Sequence, residues 1–158
     1  MRHSRAERDV AEIPTEVKQE LESTLDSVDH AEDLVMRTAR EMGFDEDQQH
    51  EISISLRECM VNAVVHGNRY NARKKVHFTV LHTPAKLEIL IGDEGEGFDA
   101  SSLPDPLAEE NLLRQSGRGV MMMQTFMDEF QVRPRQPSGT EVRMVKFKNK
   151  NGDEGGVL

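Results

Sequence analysis

The chain has 158 residues, enough for one domain of ordinary size around a single core. Its 36% hydrophobic and 31% charged residues exclude wholesale disorder, and six Phe, one Tyr and no Trp point to an aliphatic, Met-filled interior. With 29 acidic against 20 basic side chains the formal net charge is -9, which argues against a surface built to neutralise nucleic-acid phosphates; any anionic ligand needs a local device.

No apolar run approaches a membrane span, and Met1-Arg2-His3-Ser4-Arg5 is not followed by the apolar segment of a secretory signal. A cytoplasmic protein with no membrane association is therefore expected. The single cysteine, Cys59, agrees with a reducing compartment and reads as a small buried side chain. Residues 1–15 and 149–158 lack periodicity and read as flexible termini around one domain spanning 16–148.

In chain order, Val17 to Leu25 alternates loosely and reads as a strand, weakened by its Glu and Lys. From Val28, the apolar positions Ala31, Leu34, Val35, Ala39 and Met42 recur at helical spacing, with Ser27 as N-cap and Gly43 as stop. A second helix opens on Asp45, which with Gln48 resembles a capping box, and runs through Ile52, Leu56, Cys59, Ala63 and Val64 to Gly67. Val76, Phe78, Val80 and then Leu87, Ile89, Ile91 predict a hairpin about Thr83-Pro84. A long aperiodic stretch, Asp93 to Gly117, follows, and connections of that length usually carry function. Gly119 to Asp128 then predicts a helix, and Glu129 to Arg133 and Thr140 to Phe147 two strands. This order lacks strict βαβ alternation, so the expected class is α+β: a two-layer α/β sandwich, its sheet mixed but mostly antiparallel, with helices on one face.

Four places can carry chemistry. Glu58, Asn62 and His66 are spaced by four and share a helix face, where a carboxamide oxygen suits a hard cation and a carboxylate one turn away can serve as a base. Read alone, the stripe is better accounted for as an ordinary polar helix face with His66 at its C-terminal end. Asp93-Glu94-Gly95-Glu96-Gly97 follows a strand, so Asp93 can accept a hydrogen bond from an exocyclic base amine while Gly95 and Gly97 permit close backbone approach. Ser116-Gly117-Arg118-Gly119 precedes a helix and places free amides where a phosphate can sit. Ser138-Gly139-Thr140 reads as a turn before the last strand. Met121, Met122 and Met123 read as helix packing, and His30, His50, His77 and His82 as surface or structural residues.

In combination and in this order these elements resemble the GHKL, or Bergerat, ATP-binding superfamily. Glu58-x-x-x-Asn62 with His66-Gly67 resembles its N box, Asp93-x-Gly95-x-Gly97 its first glycine box, Gly117-x-Gly119 its second, and Gly139-Thr140 its closing motif. Asn62-Ala63-Val64-Val65-His66-Gly67-Asn68 and the run from Ser116 to Glu129 are most similar to the anti-sigma factor serine-protein kinases of bacterial partner-switching systems. The resemblance implies that ATP and magnesium are bound, with Asn62 on the metal, Glu58 as general base toward a partner's serine, and Asp93 on adenine N6. It places His66, Gly95, Gly97, Gly117, Gly119 and Thr140 around the nucleotide, makes Asp99 to Ser116 an ATP lid, and leaves open whether Arg114 or Arg118 reaches the γ-phosphate. The implied activity is that of an ATP-dependent protein-serine kinase whose partners are a STAS-type anti-anti-sigma protein and a sigma factor; a homodimer is also allowed. The alternatives are a non-catalytic ATP-gated protein-binding module, which an intact Glu58 disfavours, and a detached histidine-kinase catalytic domain.

Overall fold

The computed structural model describes residues 13–96 and 117–148. Five strands and three helices are laid out in the order β1 (Thr15–Glu22), α1 (Leu25–Met42), α2 (Glu46–Val61), β2 (Lys75–His82), β3 (Lys86–Gly92), α3 (Gly117–Phe126), β4 (Glu129–Pro134) and β5 (Thr140–Phe147). The strands form one sheet in the order β1-β2-β3-β5-β4, and every pairing in it is antiparallel. The α+β sandwich expected from the sequence is present; within the described residues its sheet has no parallel pair.

Alternation puts Val76, Phe78 and Val80 of β2, Leu87, Ile89 and Ile91 of β3, and Met144 of β5 on one face, all buried. The helices cover that face. α1 contributes Val28, Ala31, Val35 and Ala39, and α2 contributes Ile52, Leu56, Cys59 and Met60, to one continuous core. Each fully buried aliphatic or aromatic side chain there stabilises the fold by about 1.5–3 kcal/mol. On α3 the methionines divide as helix packing requires: Met123 is buried and Met121 exposed.

Local signals place the helix ends. Asp45 and Gln48 form the reciprocal capping box, with the Gln48 amide 2.8 Å from Asp45 Oδ1 and the Asp45 amide 3.1 Å from Gln48 Oε1. Gly43 ends α1 at φ +86°, a left-handed cap that glycine adopts without strain. α1 itself starts earlier than its apolar spacing indicates, with Thr24 rather than Ser27 at the N-cap, because Ser27 is drawn into the buried side of the first turn. β1 begins two residues earlier and ends three residues earlier than its weak alternation indicates, because Thr24 and Leu25 already cap and open α1. It is an edge strand, whose Glu16, Lys18, Glu20 and Glu22 lie opposite Leu81, Thr79, His77 and Lys75. Charge on such an edge discourages further pairing.

The insertion of β5 between β3 and β4 determines where a ligand site can form. It brings the start of β5 beside the end of β3, with the Asp93 amide 2.9 Å from the Thr140 carbonyl. At the opposite end of the sheet, Lys146 is buried on the helix side; its ammonium bonds Glu51 at 2.8 Å and also the Phe126 carbonyl at the end of α3. A cation is favoured at a helix C-terminus, and this one anchors α3 at the end of the molecule remote from Asp93. No helix among the described residues is long and apolar enough to cross a membrane.

Candidate functional site

α2 does not continue to Gly67 as a regular α-helix. From Asn62 to Gly67 the chain winds as a π-helix, with the Asn68 amide bonding the Ala63 carbonyl at 2.8 Å and the Tyr70 amide the Val64 carbonyl at 3.0 Å. Arg69 and Tyr70 then adopt left-handed φ values of 53° and 58°. Wide helical turns and left-handed non-glycine residues cost energy and concentrate at functional sites. Glu58 and Asn62 are half-buried, one turn apart, across the junction of α2 and the π-turn, whereas His66 is exposed.

The π-turn ends against Asp93, where three segments meet without Cβ atoms. A Cβ on Gly67 would lie 2.4 Å from the Asp93 carboxyl carbon, one on Gly95 2.2 Å from the Gly67 carbonyl oxygen, and one on Gly139 1.9 Å from the Asp93 carbonyl oxygen. Gly139 also has φ +99°, a conformation that favours glycine. The turn read from the sequence at Ser138-Gly139-Thr140 is therefore a structural neighbour of Asp93.

Asp93 itself is buried, 9% exposed. Its Oδ1 accepts the Gly95 amide at 2.9 Å and the Thr140 amide at 3.3 Å. Both of these bonds are to Oδ1, and no hydrogen bond to Oδ2 is made among the described residues. Burial pushes the carboxyl above its ordinary value; the two backbone bonds, then the charges of Arg135 and Lys74, act the other way. A raised folded-state pKa means that this group favours folding when protonated. Its contribution is fully present below the ordinary value of 3.8 and is lost as pH rises through the raised value. Asp93→Asn, which does not titrate, is therefore expected to gain stability relative to wild type as pH rises across that window. Urea melts of the ligand-free proteins at a series of pH values check this; a constant difference between the two would contradict it.

Behind Asp93 lies a polar network that sequence reasoning missed. Asn68 is 1% exposed and bonds the Glu94 amide, Ser23 Oγ and the Lys75 carbonyl. On the outer side, Glu94 lies 2.6 Å from His77 Nε2, and Arg135 Nη2 lies 2.9 Å from the same nitrogen. His77 is thus structural, as its spacing suggested, and the hydrogen bond to His77 holds the Glu94 carboxyl below its ordinary range. The sole signal for Asn68 was its place directly after His66-Gly67. Nothing in the spacing marks Arg135 as a neighbour of His77.

Of the other candidate residues, Gly117, Arg118 and Gly119 open α3, and Thr140 opens β5. Gly97, Arg114 and the segment from Asp99 to Ser116 lie outside the described residues. Cys59 is a buried free thiol, its pKa pushed up by burial and by the carboxylates of Asp93 and Glu58.

A carboxylate held this way costs the fold stability, and it sits at the end of β3 in an antiparallel α+β sandwich. A family model described as a histidine kinase-like ATPase domain matches residues 21–146, and the chain belongs to that family. ATP binding comes with it at family level. Anti-sigma F factor of Bacillus thuringiensis (strain Al Hakam) is 33% identical over 99 residues, covering 61% of this chain and 68% of the relative. The anti-sigma F factors of Bacillus mycoides (strain KBAB4) and Bacillus cereus (strain AH187) match with the same identity and cover. The anti-sigma regulators are therefore the branch of the family that this chain is similar to.

Proposed function

We propose that this protein is a cytoplasmic, magnesium- and ATP-dependent protein-serine kinase of the anti-sigma type, which transfers the γ-phosphoryl group of ATP to a serine of a STAS-type antagonist and also engages a sigma factor. The observation that carries the reading is the Asp93 carboxylate, buried, oriented by two backbone amides and enclosed by Gly67, Gly95 and Gly139. Its Oδ2 is suited to accept from the adenine amine. The names of the anti-sigma F factors support the regulatory half of the proposal.

The residues present suit magnesium. A cation beside Asn62 would take its one carboxamide oxygen and complete its shell with phosphate oxygens and water, as magnesium prefers. When bound, it would neutralise phosphate charge. Glu58, one turn before Asn62, would accept the proton of the serine hydroxyl as its oxygen bonds to the γ-phosphorus and ADP departs. Phosphoryl transfer asks little more of a protein than such positioning and charge compensation. The first turn of α3, with Gly117, Arg118 and Gly119, supplies free amides for the phosphates in this reading.

Asp93→Asn tests the nucleotide assignment. The Gly95 and Thr140 amides both need an acceptor, so the amide oxygen of Asn must face them. Its NH2 group then points where Oδ2 stood, donor against donor. ATP affinity is expected to fall by roughly 10- to 100-fold, the range for loss of a hydrogen bond to a charged group. Equal affinities by calorimetry would refute the assignment of Asp93 to adenine.

A further inference from the structure

Glu94 and Asp93 form the turn that leaves β3, and the direction of the Asp93 carboxylate depends on how that turn is held. One side of it is secured by a side chain from another part of the chain. Asn68 Oδ1 accepts the Glu94 amide at 2.7 Å, while Asn68 Nδ2 donates to Ser23 Oγ at 2.9 Å and to the Lys75 carbonyl at 2.9 Å. Ser23 Oγ in turn donates to the Lys74 carbonyl. The Asn68 amide, bonded to the Ala63 carbonyl, closes the π-turn whose last residue, Gly67, abuts the Asp93 carboxyl. One buried side chain thus ties the exit of β1, the entry of β2 and the exit of β3 to the turn that carries Asn62.

The chemistry of the contact requires a carboxamide. A planar group with an acceptor on one side and two donors on the other satisfies all three partners; a carboxylate would face the Lys75 carbonyl with oxygen, and an apolar side chain would orphan the Glu94 amide. The opposite side of Glu94 is held separately, by His77 on its carboxylate and Ser138 Oγ near its carbonyl. The left-handed Arg69 and Tyr70 reverse the chain directly after Asn68, so nothing flexible intervenes between this anchor and the π-turn.

We propose that Asn68 is a positioning residue for base selection: by holding the Glu94 amide, it orients the Asp93 carboxylate toward an exocyclic amine and so makes the site prefer adenine to a 6-oxopurine. The inference rests on the reading of Asp93 as the acceptor for that amine. Asn68 touches no nucleotide in this scheme and acts through the 93–95 turn.

The test compares calorimetric affinities of the full chain for ATP and inosine triphosphate, which has an oxygen in place of the amine, with melting temperatures measured in parallel. Wild type is expected to prefer ATP by about tenfold or more. Asn68→Ala is expected to narrow that preference to within about threefold, because the amine contact is worth only what its geometry allows. Asn68→Asp keeps the acceptor for the Glu94 amide and is expected to melt lower yet retain most of the preference. Ser23→Ala removes a branch of the network that does not reach Asp93; it is expected to lower the melting temperature with the preference unchanged. A purely structural Asn68 would weaken both nucleotides in the same proportion, and a wild-type ratio in Asn68→Ala would overturn the proposal. If Asn68→Ala does not fold, Asn68→Ser, whose shorter side chain does not extend to the Glu94 amide, takes its place with the same two outcomes: a narrowed preference is expected, and a wild-type ratio would overturn the proposal. A wild type that fails to distinguish the two nucleotides would instead refute the reading of Asp93 itself.

Discussion

Glu58→Gln is expected to leave ATP binding nearly intact while slowing phosphate transfer to a partner serine by about 10²–10⁴-fold, the usual cost of removing a positioned base. Glu58 is half-buried at the end of α2, and the Asn62 amide bonds the carbonyls of Cys59 and Glu58, so the two side chains are joined by a single helical turn. Glutamine keeps the size and the hydrogen-bonding shape of the side chain but accepts no proton at neutral pH. Candidate STAS proteins incubated with labelled ATP supply the assay. Undiminished transfer by Glu58→Gln would remove Glu58 from the role of base. A wild type that binds both ATP and its partner yet never labels it would favour an ATP-gated binding module, in which nucleotide acts through protein interfaces alone.

Gly139→Ala is expected to damage fold and site together. The new Cβ would stand 1.9 Å from the Asp93 carbonyl oxygen, a backbone atom that cannot swing aside, and the residue would have to hold φ +99°. Left-handed strain and overpacking together cost on the order of 3 kcal/mol. Relief requires the start of β5 to move from the end of β3, which pulls the Thr140 amide off Asp93 Oδ1. ATP affinity is therefore expected to fall more than tenfold even where the protein stays folded. Gly92→Ala is the informative companion. Its Cβ would meet the Arg135 side chain at 3.0 Å, a side-chain atom rather than backbone and at a longer distance, so both stability and ATP affinity are expected to change far less. Equal damage from the two variants, measured by denaturant melts and calorimetry, would show that general crowding, not the Asp93 contact, governs this corner.

The elements most legible in the sequence were those whose signals are local. The capping box of Asp45 and Gln48, the stop at Gly43 and the alternation of Val76, Phe78, Val80 with Leu87, Ile89, Ile91 each place a boundary or a face through contacts within a few residues. The backbone demands at Gly67, Gly95 and Gly139 were legible for a similar reason, since each glycine stands in a short run of turn-forming residues. β1 was poorly legible because an edge strand with one charged face needs no strict alternation.

The sequence by itself determined the α+β class, the helical stripe that joins Glu58 to Asn62, the burial of Cys59 and the family resemblance. Only the tertiary structure decided that Asn62 begins a π-turn, that Gly139 closes on Asp93, and that Asn68 holds the Glu94 amide. The last two contacts join residues 46 and 26 positions apart, Gly139 with Asp93 and Asn68 with Glu94. Periodicity reports which face a residue occupies within its own element; which elements become neighbours depends on strand order and register, and here on the insertion of β5 between β3 and β4.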